Sequence, residues 1–354
     1  KWYEEYDHNS EIRKEDRVFA MDGGNIPLII TVPHGGKERP RDIKVRSRCR
    51  KIKDGINVPI SGPKCDYINS LCSGFNNNST ASNGDGYSDG GDKFTADVAS
   101  ALWLAFTNAC KKRPYMVRGE IRRNFIDYNR MTPKFKLSPD QKDEDFGDVG
   151  NICAYEDKKA FYYYDSYHNR ISHFIEKIED KFGLKRAIMI DLHGAAPDSD
   201  LHFGYGLSRG RINYKSHTMK NELLLSNEGL ELTNINDRDE LNLNFLHDRN
   251  GLINNLANDG NISSSPEIHP TKLNRMDRRA DPTGLNGGFT TRYYASTINN
   301  SDNYNYEGPF IDVLQFEVGN EDGRNRGDQR KAFAFGAKLG RALCETWRSQ
   351  RGLR

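Results

Sequence analysis

A chain of 354 residues is long enough for one large α/β domain or two ordinary ones, with a core able to hold a rigid site. Its 52 Lys and Arg against 50 Asp and Glu leave a net charge of +2, which gives no general attraction to nucleic acid or to an anionic membrane. The longest apolar run, residues 26–32 with Pro27 inside it, falls well short of the roughly 18 to 20 residues that span a bilayer.

Residue 1 is Lys rather than Met, which suggests a removed leader or a start at a processed terminus. The first predicted element is a buried strand over residues 27–32 that empties into Pro33-His34-Gly35-Gly36. The glycines there allow close backbone approach, and the imidazole stands at the strand's end. Residues 73–91 are dominated by Asn, Ser, Gly and Asp and carry too little apolar surface to offset the entropy of ordering, so they read as a flexible loop. The run Asn83-Gly84-Asp85-Gly86 inside it lacks the carboxylate spacing and the distal Glu of a calcium loop.

A helix is predicted to begin near Thr95, with Val98, Leu102, Ala105, Phe106 and Ala109 at helical spacing. Asp92 stands at its entrance, where a carboxylate also suits the positive end of the helix macrodipole. Next comes Arg122-Arg123-Asn124-Phe125-Ile126-Asp127-Tyr128-Asn129-Arg130, a polar cluster ending in an amide beside a guanidinium. Arg is the residue suited to gripping a carboxylate through two parallel hydrogen bonds.

A second helix spans residues 157–182 on the stripe Phe161, Tyr164, His168, Ile171, Ile175, Ile178 and Phe182, with Gly183 placed to end it. A strand over residues 187–190 then ends in Asp191-Leu192-His193-Gly194, repeating the pattern of a buried strand with polar residues at its carboxyl end. In open α/β sheets ligands collect at that end. Gly206-Leu207-Ser208-Arg209-Gly210 fits the GxSxG pattern of serine hydrolases, but Arg211-Ile212-Asn213-Tyr214 does not begin the helix that pattern needs, so Ser208 is the lesser candidate.

Residues 210–285 read as a polar insertion. Gly287-Gly288-Phe289-Thr290-Thr291-Arg292 reads as a turn, either lining a site or forming a plain hairpin loop. In Asp312-Val313-Leu314-Gln315-Phe316-Glu317-Val318, Glu317 interrupts an apolar strand pattern, and a buried carboxylate there calls for a metal, an arginine or a catalytic task nearby. A last helix starts near Asp328 and carries Ala332, Phe335, Leu339, Leu343 and Trp347 on one face. The alternation of strands and helices predicts a single α/β domain over residues 1–354, with a mixed, mostly parallel central sheet flanked by helices in three layers.

Six cysteines form no CxxC pair, which argues against a cysteine-bound structural zinc and allows three disulfides. Asn77, Asn78, Asn261 and Asn299 each begin a glycosylation acceptor pattern. Together these favour a secreted glycoprotein. Two strand-end imidazoles, His34 and His193, are what a catalytic zinc needs, and the third ligand is then a carboxylate, with Asp92 and Glu38 both qualifying.

The strings PHGG at 33–36, GDKFT at 91–95, IDYNR at 126–130, DLHG at 191–194, GGFTTRYY at 287–294 and LQFEVG at 314–319 occur in an order that resembles N-formylglutamate amidohydrolase-like proteins. The same order resembles zinc carboxypeptidases. That resemblance implies a phosphorylase/hydrolase-like, zinc-carboxypeptidase-related fold with one Zn2+, held by His34, His193 and a carboxylate. It makes Glu317 the general base, has Arg122 or Arg123 polarise the scissile carbonyl, and gives Asn129 and Arg130 the substrate carboxylate. On this reading Arg123 is placed with Glu317 as catalytic, while Arg122, Gly288 and Arg292 join the substrate-binding set.

Carboxypeptidases carry their carboxylate ligand three residues after the first His, where this chain has Lys37, so Asp92 is favoured with Glu38 as the competitor. The implied partner is a small N-acyl amino acid or a peptide terminus with a free carboxylate. A non-catalytic secreted structural or binding protein on the same scaffold is the alternative, and a serine hydrolase using Ser208 is a further one.

Overall fold

The computed structural model describes residues 17–43, 50–53, 56–59, 92–123, 125–129, 154–155, 157, 159–183, 187–194, 201–204, 251–260, 262, 264–265, 289–294, 311–319 and 328–351. The strands are β1 (Val18–Met21), β2 (Leu28–Val32), β3 (Arg50–Lys53), β4 (Ile56–Pro59), β5 (Tyr115–Gly119), β6 (Ile188–Gly194), β7 (Leu201–Gly204), β8 (Ser264–Ser265) and β9 (Asp312–Val318). The helices are α1 (Thr95–Cys110), α2 (Ala160–Phe182), α3 (Leu252–Asn255), α4 (Phe289–Tyr294) and α5 (Gln329–Arg351), with a π-turn at Leu256–Gly260.

Among the described residues the main sheet has seven strands in the order β1-β5-β2-β6-β9-β7-β8. The four central strands β5, β2, β6 and β9 run parallel, and β1 and β7 pair antiparallel on either side of them. Strands β3 and β4 form a separate two-stranded sheet.

Alternation along the central strands builds the three layers, because successive side chains point to opposite faces. Leu28, Ile30 and Val32, Ile188, Ile190 and Leu192, and Leu314, Phe316 and Val318 pack with α1 and α5. Ile29, Met189 and Val313 point the other way and pack against α2, through Tyr167, Ile171, Phe174, Ile175 and Ile178. Parallel strands covered on both faces have to be apolar almost throughout, which is why these runs read so plainly in the sequence. The predicted α/β sheet flanked by helices is the fold observed.

The predicted helices match closely. Helix α1 begins at Thr95 as expected, α2 ends at Gly183 with φ +95°, a conformation glycine adopts without strain, and α5 starts one residue after Asp328. Strand β6 runs further than its apolar part, through His193 to Gly194, because β9 pairs with it along its whole length. The segment 287–292, read as a turn, differs: Phe289–Tyr294 form helix α4, which feeds β9 through the Ile311 N–H bond to the Tyr294 carbonyl.

The 73–91 loop lies outside the described residues, as does most of 210–285. Within the latter, Leu252, Ile253, Leu256 and Ile262 are buried in the α1/α5 layer, and β8 closes the sheet edge beside β7. Cys110, the last residue of α1, is bonded to Cys344 in α5. Cys49, Cys65, Cys72 and Cys153 lie outside the described residues.

Candidate metal centre

The site is the continuation of the α2-facing side of the sheet. Past Ile29, Met189 and Val313 the same face carries Thr31, then Asp191 and His193, then Gln315 and Glu317. In register, Thr31 neighbours Asp191, Asp191 neighbours Gln315, and His193 neighbours Glu317. These polar side chains therefore stack on adjacent strands at their carboxyl ends, where an open parallel sheet leaves a crevice.

His34 follows β2. Gly36, two residues on, lets the chain lie against the backbone of Glu120, since a Cβ there would overlap the Glu120 carbonyl. Asp92 arrives from the entrance of α1, where its own carbonyl accepts bonds from the Thr95 N–H and hydroxyl. The four groups His34, Asp92, His193 and Glu317 are all buried.

Each imidazole is held from behind by a carboxylate. His34 Nε2 lies 2.6 Å from Asp127 Oδ1, and His193 Nε2 lies 2.8 Å from Asp191 Oδ2. A carboxylate accepts, so each Nε2 carries a proton, and in the neutral ring Nδ1 presents the lone pair. Those two Nδ1 atoms are 3.3 Å apart, with Asp92 Oδ2 at 3.2 Å from His34 Nδ1 and 3.6 Å from His193 Nδ1.

With both rings neutral, three acceptors this close repel one another unless a proton or a metal ion sits between them. Bonds of about 2.0 to 2.2 Å at tetrahedral angles place ligand atoms about 3.3 to 3.5 Å apart, so the donor set and its spacing fit a metal ion. His34, Asp92 and His193 could hold one.

The supports extend outward. Thr31 Oγ1 donates to Asp191 Oδ1 at 2.7 Å, and Arg123 Nε donates to Asp127 Oδ2 at 2.8 Å. The Gly194 N–H donates to Asp92 Oδ2 at 3.0 Å. Gln315 donates to Glu317 Oε1. Such outer bonds set the tautomer and the ring angle and raise the basicity of the ligand nitrogen.

The charges respond to one another. Burial works to raise the Asp92 carboxyl, but His34, His193 and Arg123 outweigh it and hold it well below the usual carboxylate range. Burial works to lower His193, yet Asp191, Asp92 and Glu317 push it up to about 10. Glu317 is raised, chiefly by burial and then by Asp92, against the opposing pull of His193, Gln315 and His34. Burial opposes the Arg123 charge, but Asp127, Asp92 and Glu317 raise its pKa overall.

His34, Asp92, His193 and Glu317 thus meet as the sequence suggested, with Arg123 one carboxylate away. Glu38 stands apart, its side chain 44% exposed and paired with Arg17 at 2.7 Å, whereas Asp92 is the carboxylate beside the two imidazoles. Arg122 bonds Glu38 through its backbone N–H. Asn129 is engaged within the protein: its Oδ1 accepts the Thr290 N–H at 2.7 Å, and its Nδ2 sits 3.3 Å from His193 Nε2. Arg292 lies in α4. Arg130, Gly288 and Ser208 lie outside the described residues.

Asp127 and Asp191 were visible in the sequence without a role. The i, i+2 spacing of Asp191 and His193 in a strand is the signal that puts them on one face.

No protein-family model matches the chain, and no curated protein does. Among solved structures it is similar to N-formylglutamate amidohydrolase from Ralstonia eutropha JMP134, at 15% identity and a TM-score of 0.46 over 96% of this chain and 99% of that one. It is also similar to a gene product of Agrobacterium tumefaciens, at 12% identity and a TM-score of 0.36 over 93% of this chain and 96% of that one.

Proposed function

We propose that the chain is a zinc-dependent amide hydrolase acting on a small N-acyl amino acid or a peptide terminus that bears a carboxylate. The observation that carries this is the convergence of His34 Nδ1, His193 Nδ1 and Asp92 Oδ2 within 3.6 Å of one another, with Glu317 on the adjacent strand. Two imidazole nitrogens and one carboxylate oxygen form the three-ligand set that catalytic zinc sites use. When bound there, zinc supplies Lewis acidity, which acidifies water toward a pKa of about 7 and polarises an amide carbonyl.

The chain's own residues supply the rest. Glu317, raised by burial, is poised to take a proton from water and return it to the leaving amine. Asp127 and Asp191 keep both imidazoles in the tautomer that offers Nδ1 inward. Arg123, held through its Nε on Asp127, supplies the positive charge that would meet a developing oxyanion. Arg122, Asn129, Arg130, Gly288 and Arg292 are assigned to the substrate and its carboxylate by the motif resemblance, which makes attack effectively intramolecular. Secretion is part of the same proposal, supported by the Cys110–Cys344 bond, which suits an oxidising compartment.

Elemental analysis paired with Glu317→Gln tests the reading. About one zinc per chain should survive the substitution while hydrolysis of N-acyl amino acids and peptides is lost. Absence of zinc overturns the proposal. Zinc without turnover in the parent protein overturns the enzyme reading and leaves a binding protein on this scaffold.

A further inference from the structure

His168 lies in the middle of α2, in the α2-facing layer of the molecule, and no step of the reaction above uses it. It is buried among four tyrosines, with ring centroids 4.5 Å from Tyr164, 5.2 Å from Tyr167 and 6.0 Å from both Tyr293 and Tyr294. A histidine in an aromatic core is usually there for packing alone. This one has both nitrogens placed against groups from two other segments.

Its Nε2 donates to the Tyr128 carbonyl at 3.0 Å, and its Nδ1 lies 3.0 Å from the Tyr294 hydroxyl. Since Nε2 carries the proton, a neutral ring offers Nδ1 as an acceptor to that hydroxyl. Burial lowers the imidazole to about 4, so the ring is neutral in ordinary buffers. The Tyr294 hydroxyl is also 3.1 Å from the His168 carbonyl oxygen, so its one proton is shared between two acceptors that both belong to His168.

The carbonyl that His168 grips belongs to the residue between Asp127 and Asn129. Asp127 holds the His34 ring, and Asn129 sits against His193 while accepting the N–H of Thr290 in α4. Tyr294 lies one turn further along that same helix. A single side chain therefore fixes the turn carrying two of the groups behind the metal ligands, together with the helix docked on that turn.

We propose that His168 is a positioning residue for the metal centre: by holding the Tyr128 carbonyl and Tyr294 it sets the Asp127–Asn129 turn and thereby the orientation of the His34 and His193 rings. The inference rests on the metal-centre reading. It predicts that losing two hydrogen bonds in the aromatic layer weakens metal binding without the sheet being touched.

The test compares three variants of the full chain. His168→Phe fills the space and loses both bonds, while His168→Gln keeps one donor and one acceptor. Ile171→Val, buried one turn along the same helix, controls for general loosening of that layer. Zinc affinity is read by competition with a chromogenic chelator. Amide hydrogen exchange in the metal-free protein is read at Asp127, Asn129 and Thr290, whose N–H groups bond Ala154, Asp127 and Asn129.

His168→Phe should bind zinc about 10- to 100-fold more weakly, the range seen when outer partners of metal ligands are lost. Exchange at the three amides should quicken, and His168→Gln should recover most of both effects. Ile171→Val should change neither, even where it lowers the melting temperature. Unchanged zinc affinity and exchange in His168→Phe, or an equal effect in Ile171→Val, overturns the inference. Should the parent protein take up no zinc, the functional reading falls and the exchange comparison alone decides the role of His168.

Discussion

The Nδ1 atoms of His34 and His193 face each other across 3.3 Å, with their rings at 73°. They come from positions 159 residues apart and share no hydrogen-bonded ladder of their own. Two nitrogens at that distance cannot both keep a bare lone pair, so the protein's stability depends on whether a proton or a metal ion lies between them.

A bound ion should therefore raise the melting temperature. An ion at 100 times its dissociation constant stabilises by about 2.7 kcal/mol, and a strong chelator should remove that increment. His34→Ala and His193→Ala should each abolish the difference between chelated and zinc-supplemented samples, measured by thermal unfolding. A chelator-insensitive parent protein would count against the centre.

Asp191→Asn should weaken zinc about 10- to 100-fold with the fold retained, because an amide can present its N–H to Nε2 and favour the wrong tautomer. Thr31→Val removes the donor to Asp191 Oδ1 but leaves the carboxylate in place and should cost less. Titration calorimetry of both variants checks the order, and an equal loss in the two would contradict the hierarchy.

Binding should release a proton. In the metal-free protein His193 is pushed up to about 10, so at pH 7 to 8 it is charged, whereas a metal ligand must be neutral. Calorimetry in buffers of different ionisation enthalpy should show about one proton displaced per ion, declining as pH approaches 10. The same shift has a sign for stability: a histidine raised above its ordinary 6.5 contributes fully below that value, and its contribution is lost as pH rises through about 10. Metal-free protein should accordingly unfold more easily toward alkaline pH, and holoprotein should resist the change.

Breaking the Cys110–Cys344 bond should lower stability by about 2 to 4 kcal/mol, since it closes a chain separation of 234 residues. Cys110 ends a 16-residue helix whose entrance holds Asp92, about 24 Å away along the axis. The double Cys→Ser variant should therefore melt lower in urea or heat while taking up the same amount of zinc.

Three of the four central parallel strands, β2, β6 and β9, and the three long helices were legible because burial on both faces forces apolar runs, and amphipathic burial forces a 3.6-residue stripe. His34, His193 and Glu317 were legible as polar residues closing such runs. Strands β1 and β5 carry mixed signals: Arg118 sits among apolar neighbours in β5, stacked on Phe19 of β1 at 4.5 Å, a pairing that only the folded register reveals. The roles of Asp127 and His168 depend on side-chain directions and on contacts 93 and 126 residues away, which no local pattern encodes. The α4 segment was misread because its two leading glycines signal a turn, whereas Phe289–Tyr294 gain helical order by docking Thr290 and Tyr294 on the site's support.

The alternation of the central strands carries a developmental consequence. The rungs that fill the α2 layer and the rungs that carry Asp191, His193 and Glu317 belong to one ladder, so slipping either strand by a single residue would swing these groups to the far side. Closure of the sheet and placement of His193 beside Glu317 are one event.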